Sequence, residues 1–425
     1  DAVATATEVL EWAREREDRD LEARAVTTLA SVLSGNFEAD KAVDLILPVY
    51  ESRPQTDDEV WARLAAETSR SLMLADRPHE AIAVADTAIP VIEELDMIEE
   101  LLQTLVNKGS ALGNAGRWME GSAILRGVID LAEIHDLAVV RIRALNNLFS
   151  STLNDNQIDH QLLDEWTALI KRTGSMAWVQ RMRFISAEYA LTIGDMPTAL
   201  ALVDEAMQEE VSEFWVDSLD VVRLTAELMV GGMDDDTYRA LEGVATKYLT
   251  TDDPQLLANV VDGNLRYLLA AERYEEALAL AQRYIDVDIA YPTTLDGGIL
   301  AAAMCGDVVT LRDFRQRVVE GFPRGRASVG LAALSSSLIA ALEGEADSAI
   351  AEFRRADDIW VQVVSPMRVN LARAVFATTL GFDHAEAVAA AAQARDFFVE
   401  HDLRLFLEGI ATRFPAEPTA GDVAV

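Results

Sequence analysis

The stretch Val106–Ala132, VNKGSALGNAGRWMEGSAILRGVIDLA, decides the fold. It reads as one helix, a tight turn at Gly116, and a second helix. The same design recurs along the chain. Turn anchors fall at Gly35, Asp76, Gly116, Asn156, Gly194, Gly232, Glu272, Gly306, Gly344 and Gly381, spaced 34 to 41 residues apart. A near-constant spacing of this size marks stacked supersecondary units. Most anchors are Gly or Asn, which tolerate the left-handed conformation that ends a helix. Two positions later a bulky residue often follows (Phe37, Trp118, Ile158, Met196, Tyr274), placed to plug the gap between the two helices of a unit. Seven positions after the anchor comes Ala42, Ala83, Ala123, Ala201, Ala279 or Ala351, expected to let the second helix approach its neighbours closely.

These residues resemble the tetratricopeptide repeat. The best matches are Gly116-Arg-Trp-Met-Glu-Gly-Ser-Ala123 and Glu272-Arg-Tyr-Glu-Glu-Ala-Leu-Ala279. The units near Asn156, Gly232 and Gly306 depart from the pattern by lacking the small residue after the turn. The resemblance implies an all-α fold, an α-α superhelix or TPR-like solenoid of about ten helical hairpins.

Composition bounds the function. Of 425 residues, 36 are Lys or Arg and 72 are Asp or Glu, a formal net charge of −36. That argues against general nucleic-acid binding, which needs cations to replace phosphate counterions, and against an anionic membrane surface. The single cysteine, Cys305, forbids an internal disulfide and fits a cytoplasmic location. It reads as a buried thiol in an apolar helix. The uncharged run Ala327–Leu342 is short for a membrane span and reads as a buried helix of the stack.

Along the chain, Ala2–Arg16 is an amphipathic helix with Val3, Ala6, Leu10 and Ala13 on one face. Residues 1–19 read as the second helix of an incomplete upstream repeat, which makes the chain the tail of a larger protein; the start at Asp1 rather than Met fits that expectation. Repeats occupy 20–400. Pro197 suits the first turn of a helix, whereas Pro292 and Gly297-Gly298 weaken the first helix of the eighth unit. A closing helix follows at Leu403–Phe414, within 401–414, and the small, polar tail Pro415–Val425 reads as disordered.

The chain carries no enzyme signature. No phosphate-cradling loop with Lys and Ser/Thr is present, and Gly321-Phe-Pro-Arg-Gly-Arg326 reads as a loop between repeats. The five histidines are scattered without metal-ligand spacing. The acids of Gly231-Gly-Met-Asp-Asp-Asp236 read as a helix start, where the helix dipole favours them. No catalytic residue, metal or cofactor is expected.

The resemblance implies peptide binding on the inner face, built from the first helix of each unit. The positions thirteen and nine before each anchor share one helical face. Five of these twenty are arginines (Arg63, Arg143, Arg181, Arg223, Arg368) and only Glu22 and Glu67 are acidic. The expected groove comprises Arg63, Gln103, Asn107, Arg143, Asn147, Arg181, Arg223 and Asn259. Arg holds a carboxylate through two parallel hydrogen bonds, and Asn bonds a peptide backbone. The expected ligand is a protein or peptide, an acidic segment or a C-terminal carboxylate. The alternative is a structural role for the stripe, its arginines paired with acids of adjacent helices and its asparagines bonded to the next repeat.

The array also resembles the C-terminal arm of bacterial signalling ATPases, on the residues Arg143-Ala-Leu-Asn-Asn-Leu148 and Ala391-Ala-Gln-Ala-Arg-Asp-Phe-Phe398. That resemblance implies a sensor and interaction arm behind an ATPase module, with a class III adenylate/guanylate cyclase domain in one branch and a LuxR-type DNA-binding domain in another. The short chain after Phe414 favours the cyclase branch if Val425 is the natural terminus. A stand-alone peptide-binding adaptor is the alternative.

Overall fold

This computed structural model describes residues 2–35, 38–56, 58–152, 160–208, 213–248, 254–285, 292–321, 326–363 and 365–415. Among them the chain forms twenty-two α-helices and no strand, the all-α helical repeat the turn spacing implies. The chain divides into two compact units. The first is Asp1–Ser151 with Asp159–Gly174, and the second is Thr152–Ile158 with Ser175–Val425.

The first unit holds α1 (Ala2–Glu15), α2 (Arg19–Gly35), α3 (Ala39–Ser52), α4 (Glu59–Leu74), α5 (Pro78–Glu94), α6 (Ile98–Asn114), α7 (Trp118–Ile134), α8 (Ala138–Thr152) and α9 (His160–Thr173). Leading helix α4 packs on α2, and α6 on α4, while α3 and α5 each pack between two leading helices, α1 pairs with α2 and α7 with α6. The apolar face of α1 is covered: Ala6, Leu10 and Ala13 are buried, and the first two share a core with Ala23, Val26 and Ile46. A second core joins Trp61, Leu72, Ala81, Ile92 and Leu112.

The second unit holds α10 (Met176–Ile193), α11 (Met196–Met207), α12 (Glu213–Gly231), α13 (Asp235–Tyr248), α14 (Pro254–Ala270), α15 (Tyr274–Ile285), α16 (Pro292–Met304), α17 (Val308–Gly321), α18 (Arg326–Leu342), α19 (Ala346–Val363), α20 (Pro366–Leu380), α21 (Ala385–Glu400), α22 (Arg404–Glu408) and a 3-10 turn at Ile410–Arg413. Here α20 packs not only on α18 but on α10 and α16, and α22 reaches α12 and α14. The leading helices of this unit therefore curl back upon themselves. Stacked rings rivet one hairpin to the next, with centroids 4.2 Å apart for Tyr238–Tyr267 and 3.6 Å for Phe353–Phe376.

The turns obey the expected chemistry. Gly116, Gly194, Gly232, Gly306, Gly344 and Gly381 have positive φ, as do Asp76 and Glu272. Gly35 is instead the last residue of α2, and Asn156, with Phe37 and Ile158, lies outside the described residues. At Asp76, Gly116, Gly194, Glu272, Gly306 and Gly344 the left-handed residue lets the next N–H bond back across the helix end, as in Arg77 N–H to Leu72 O at 2.9 Å and Arg117 N–H to Leu112 O at 2.8 Å. That arginine then grips the acid three residues on. Arg77 holds Glu80 with two bonds of 2.8 and 2.6 Å, and Arg273 holds Glu276 with 2.7 and 2.6 Å. The links between hairpins use the same device with Asp at the left-handed position: Asp96, Asp136 and Asp402.

One expectation is corrected. Of the alanines seven positions after the anchor, Ala42 is buried in the core as expected, but Ala83, Ala123, Ala201, Ala279 and Ala351 are exposed and make no close approach. The buried small residue sits five positions after it: Ala81, Gly121, Ala199, Ala277 and Ala349. It faces the residue seven before the anchor, where the two helices cross. A Cβ on Gly121 would lie 2.4 Å from the Gly109 carbonyl oxygen. In two other hairpins that crossing is closed by a serine, Ser69 Oγ donating to Ala81 O at 3.1 Å and Ser337 Oγ to Ala349 O at 2.7 Å. Of the bulky plugs, Met196 and Tyr274 are buried as expected, and Trp118 is half-buried.

Other local readings resolve similarly. The first helix of the eighth unit forms despite its glycines, because Gly297 and Gly298 allow contact where a Cβ would meet Leu265 and Phe314 at 2.7 and 2.8 Å. Pro197 stands in the first turn of α11. Asp234 caps α13, accepting from Asp236 N–H at 3.2 Å. Cys305 lies in the turn after α16, not in a helix, and is half-buried. The closing helix breaks at Gly409, where a Cβ would lie 1.6 Å from Ala270 O. The Gly321–Arg326 loop lies largely outside the described residues, and so does the tail after Pro415. No helix of the described residues is long and apolar enough to cross a membrane.

Candidate functional site

The arginine stripe has different surroundings in the two units. In the first, it forms a polar ladder running from α2 across α4 and α6 to α8. Arg70 donates to Ser31 Oγ at 3.1 Å and to Glu67 Oε1 at 3.2 Å. Asn107 is buried, 2% exposed, and donates to Ala66 O at 3.1 Å while its own carbonyl accepts from Arg143 at 2.8 Å. Asn147 donates to Ser110 Oγ at 2.7 Å and accepts from Asn146 at 2.8 Å. The asparagines thus bond the neighbouring repeat.

Arg143 is the exception in this ladder. Among the described residues no carboxylate lies within ion-pair distance of it, and Asn107 is its one hydrogen-bond partner. Burial pulls its guanidinium down to about 9, Arg70 adds to the effect, and Glu67 opposes it. Burial also raises the Glu67 carboxyl, with Arg70 and Arg143 holding it down. The cluster therefore carries two cations against one carboxylate. One turn before Asn107, the amide oxygen of Gln103 is buried without a partner. The ladder presents an uncompensated cation and an unused acceptor side by side, the complement of a carboxylate and an N–H. At its edge Arg63 pairs with Glu100 at 3.0 Å, half in solvent.

In the second unit the stripe is neutralised by the chain itself. Arg368 is buried and lies 3.3 Å from Asp262 and 3.8 Å from Asp296. Arg266, buried as well, pairs with Asp262 one turn earlier on α14. Glu188 on α10 feels Arg181, Arg266 and Arg368. Three cations thus meet three carboxylates between α10, α14, α16 and α20. Burial nevertheless dominates: it pushes Glu188 up to about 7 and Asp296 up to about 6, against the pull of those arginines. Arg181 also lies over the Trp215 ring, 5.5 Å from its centroid. Arg223 pairs with exposed Asp204 at 3.2 Å. The side chain of Asn259 lies outside the described residues.

The structure thus brings together Gln103, Asn107, Arg143 and Asn147 in the first unit, and links Arg181 with Arg368 through Glu188 in the second. Sequence reasoning missed Arg70, Asp262, Arg266, Asp296 and Glu188. The Asp262–Arg266 spacing of four is a readable helix pair, but nothing in the sequence places α20 against α10.

No family model matches the chain. No curated protein matches it either. Among solved structures, "Crystal structure of APC/C hetero-tetramer Cut9-Hcn1" is 11% identical over 93% of this chain and 87% of that one, with a TM-score of 0.37. "Circular tandem repeat protein with novel repeat topology and enhanced subunit contact surfaces" is 15% identical over 96% and 94%, with a TM-score of 0.14. Likenesses this distant carry no argument, and the site stands on its own geometry.

Proposed function

We propose that the chain is a non-catalytic protein-interaction scaffold, and that the ladder on α4, α6 and α8 holds a carboxylate of a partner segment. Arg143 carries this reading. A half-buried guanidinium with no ion pair is costly, and an incoming carboxylate would supply the missing charge through two parallel bonds. Asn107 fixes one side of the guanidinium and so orients it for the incoming carboxylate. The test uses fluorescent peptides ending in acidic residues, with a free or an amidated terminus. Arg143→Glu should weaken binding by about tenfold or more, while Arg181→Glu in the second unit should leave it unchanged. Equal affinity for wild type and the folded Arg143→Glu variant removes the site.

The larger setting is a sensor arm of a signalling ATPase with a cyclase module. It rests on the sequence resemblance at Arg143–Leu148 and Ala391–Phe398. The gene upstream of Asp1 tests it: a P-loop and a cyclase motif support the arm, and a start codon just before Asp1 supports a stand-alone adaptor.

A further inference from the structure

A second site lies in the second unit, independent of the ladder. A groove of about 320 Å³ runs between α17, α18 and α19. It exists because α18 presents Ser328, Ala332 and Ser336, one turn apart, between longer side chains on either side. On one flank Val319 is 46% exposed, and at the α18 edge Val329 is 39% exposed, two aliphatic walls left to solvent. At the rim stand two arginines. Arg315 donates its Nε to Ser336 Oγ at 2.8 Å and has no acid within ion-pair distance among the described residues. Among the described residues Arg355 pairs with Glu352, at 3.5 Å, which also lines the groove, both side chains partly in solvent.

Ser328 supplies the independent observation. It is 6% exposed, lines the groove, and its hydroxyl makes no hydrogen bond among the described residues. Its hydroxyl stays open to solvent and does not bond the carbonyl one turn back, as those of Ser335 and Ser336 do. Here the polar group faces the trough.

We infer that this groove binds an acidic peptide segment of a protein partner, an aliphatic side chain seated against Val319, Val329 and Ala332 and a flanking carboxylate held by Arg315 and Arg355. Charge selects the occupant. The chain as a whole carries −36 and repels anions, whereas the trough is lined by two guanidiniums against one carboxylate, Glu352, which reverses the local sign. The apolar walls favour a segment with aliphatic side chains over a bare inorganic anion. Ser328 then bonds the backbone of the segment.

The test is selection of a random peptide library on the full chain, followed by fluorescence anisotropy with one enriched peptide. Enriched clones should combine Asp or Glu with Leu, Ile or Val. The peptide should lose about tenfold in affinity on Ala332→Leu, which fills the trough, and on the double change Arg315→Glu with Arg355→Glu. It should bind Arg143→Glu as it binds wild type, which separates this site from the ladder. Both arginines are exposed, so the double variant decides the matter if Ala332→Leu lowers the melting temperature. Enrichment that ignores both changes, no enrichment at all, or a self-association that Ala332→Leu abolishes would each overturn the inference.

Discussion

The two units apply one repeat design to opposite ends. In the first, the leading helices α4, α6 and α8 keep a polar face on which Arg143 has no acid of its own. In the second, α20 folds onto α10 and α16, and the equivalent arginine, Arg368, is consumed by Asp262 and Asp296. The lesson is that a stripe of arginines on the leading helices is not itself a binding face. What decides is whether a later helix returns to cover it and which acids that return brings. A solenoid that curls tightly enough becomes its own ligand.

The largest effect expected from this contrast is in the second unit. Arg368→Met takes from Asp296 its ion-pair partner and leaves Asp262 with Arg266 alone, and should cost about 3–5 kcal/mol in urea unfolding. Next comes the helix crossing shared by both units. Gly121→Ala places a Cβ where the Gly109 carbonyl already stands, and should cost about 1–3 kcal/mol. A cost near zero would mean that α7 can slide on α6 without loss.

A smaller effect separates the units by pH. Glu188 titrates near 7 and Asp296 near 6 in the folded chain, both above their ordinary carboxylate values. The folded state therefore holds protons that the unfolded chain releases, and these two groups lower stability as pH rises from about 4 toward 7. Glu188→Gln should flatten that slope and raise stability above neutral pH by about 1–2 kcal/mol, less than the full shift because Glu188 is only half-buried. An unchanged pH profile would show that its carboxylate is fully paired. The smallest effect is Arg143→Met. The lost bond to Asn107 and the relief of an unpaired charge nearly offset, so stability should move by less than about 1 kcal/mol.

Much of this was readable in the residues. The anchors give the hairpins, since a left-handed turn residue at near-constant spacing is a local requirement that Gly116 or Gly194 meets alone. The plug positions follow for the same reason. The small-residue register was misread because alanines occur both at the buried crossing and on the exposed face of the same helix, and only packing tells Ala81 from Ala83. The candidate site was legible as far as Asn107 and Arg143, which sit one repeat apart on equivalent faces. The fate of Arg368 was not, because its partner Asp262 is more than a hundred residues away. The break at Gly409 was hidden for the same reason: its cause is the carbonyl of Ala270.

The most direct measurement asks which arginines are chemically available. Small dicarbonyl reagents attack the deprotonated guanidine, and because burial lowers both Arg143 and Arg266, access to the side chain decides which reacts. Treating the folded chain with butanedione at about pH 8 and mapping the products by mass spectrometry should find Arg143 modified early and Arg266 and Arg368 resistant, with a carboxylate-terminated peptide shielding Arg143. If Arg368 reacts as fast as Arg143, or if Arg143 stays inert, the contrast between an open and a self-neutralised stripe is wrong.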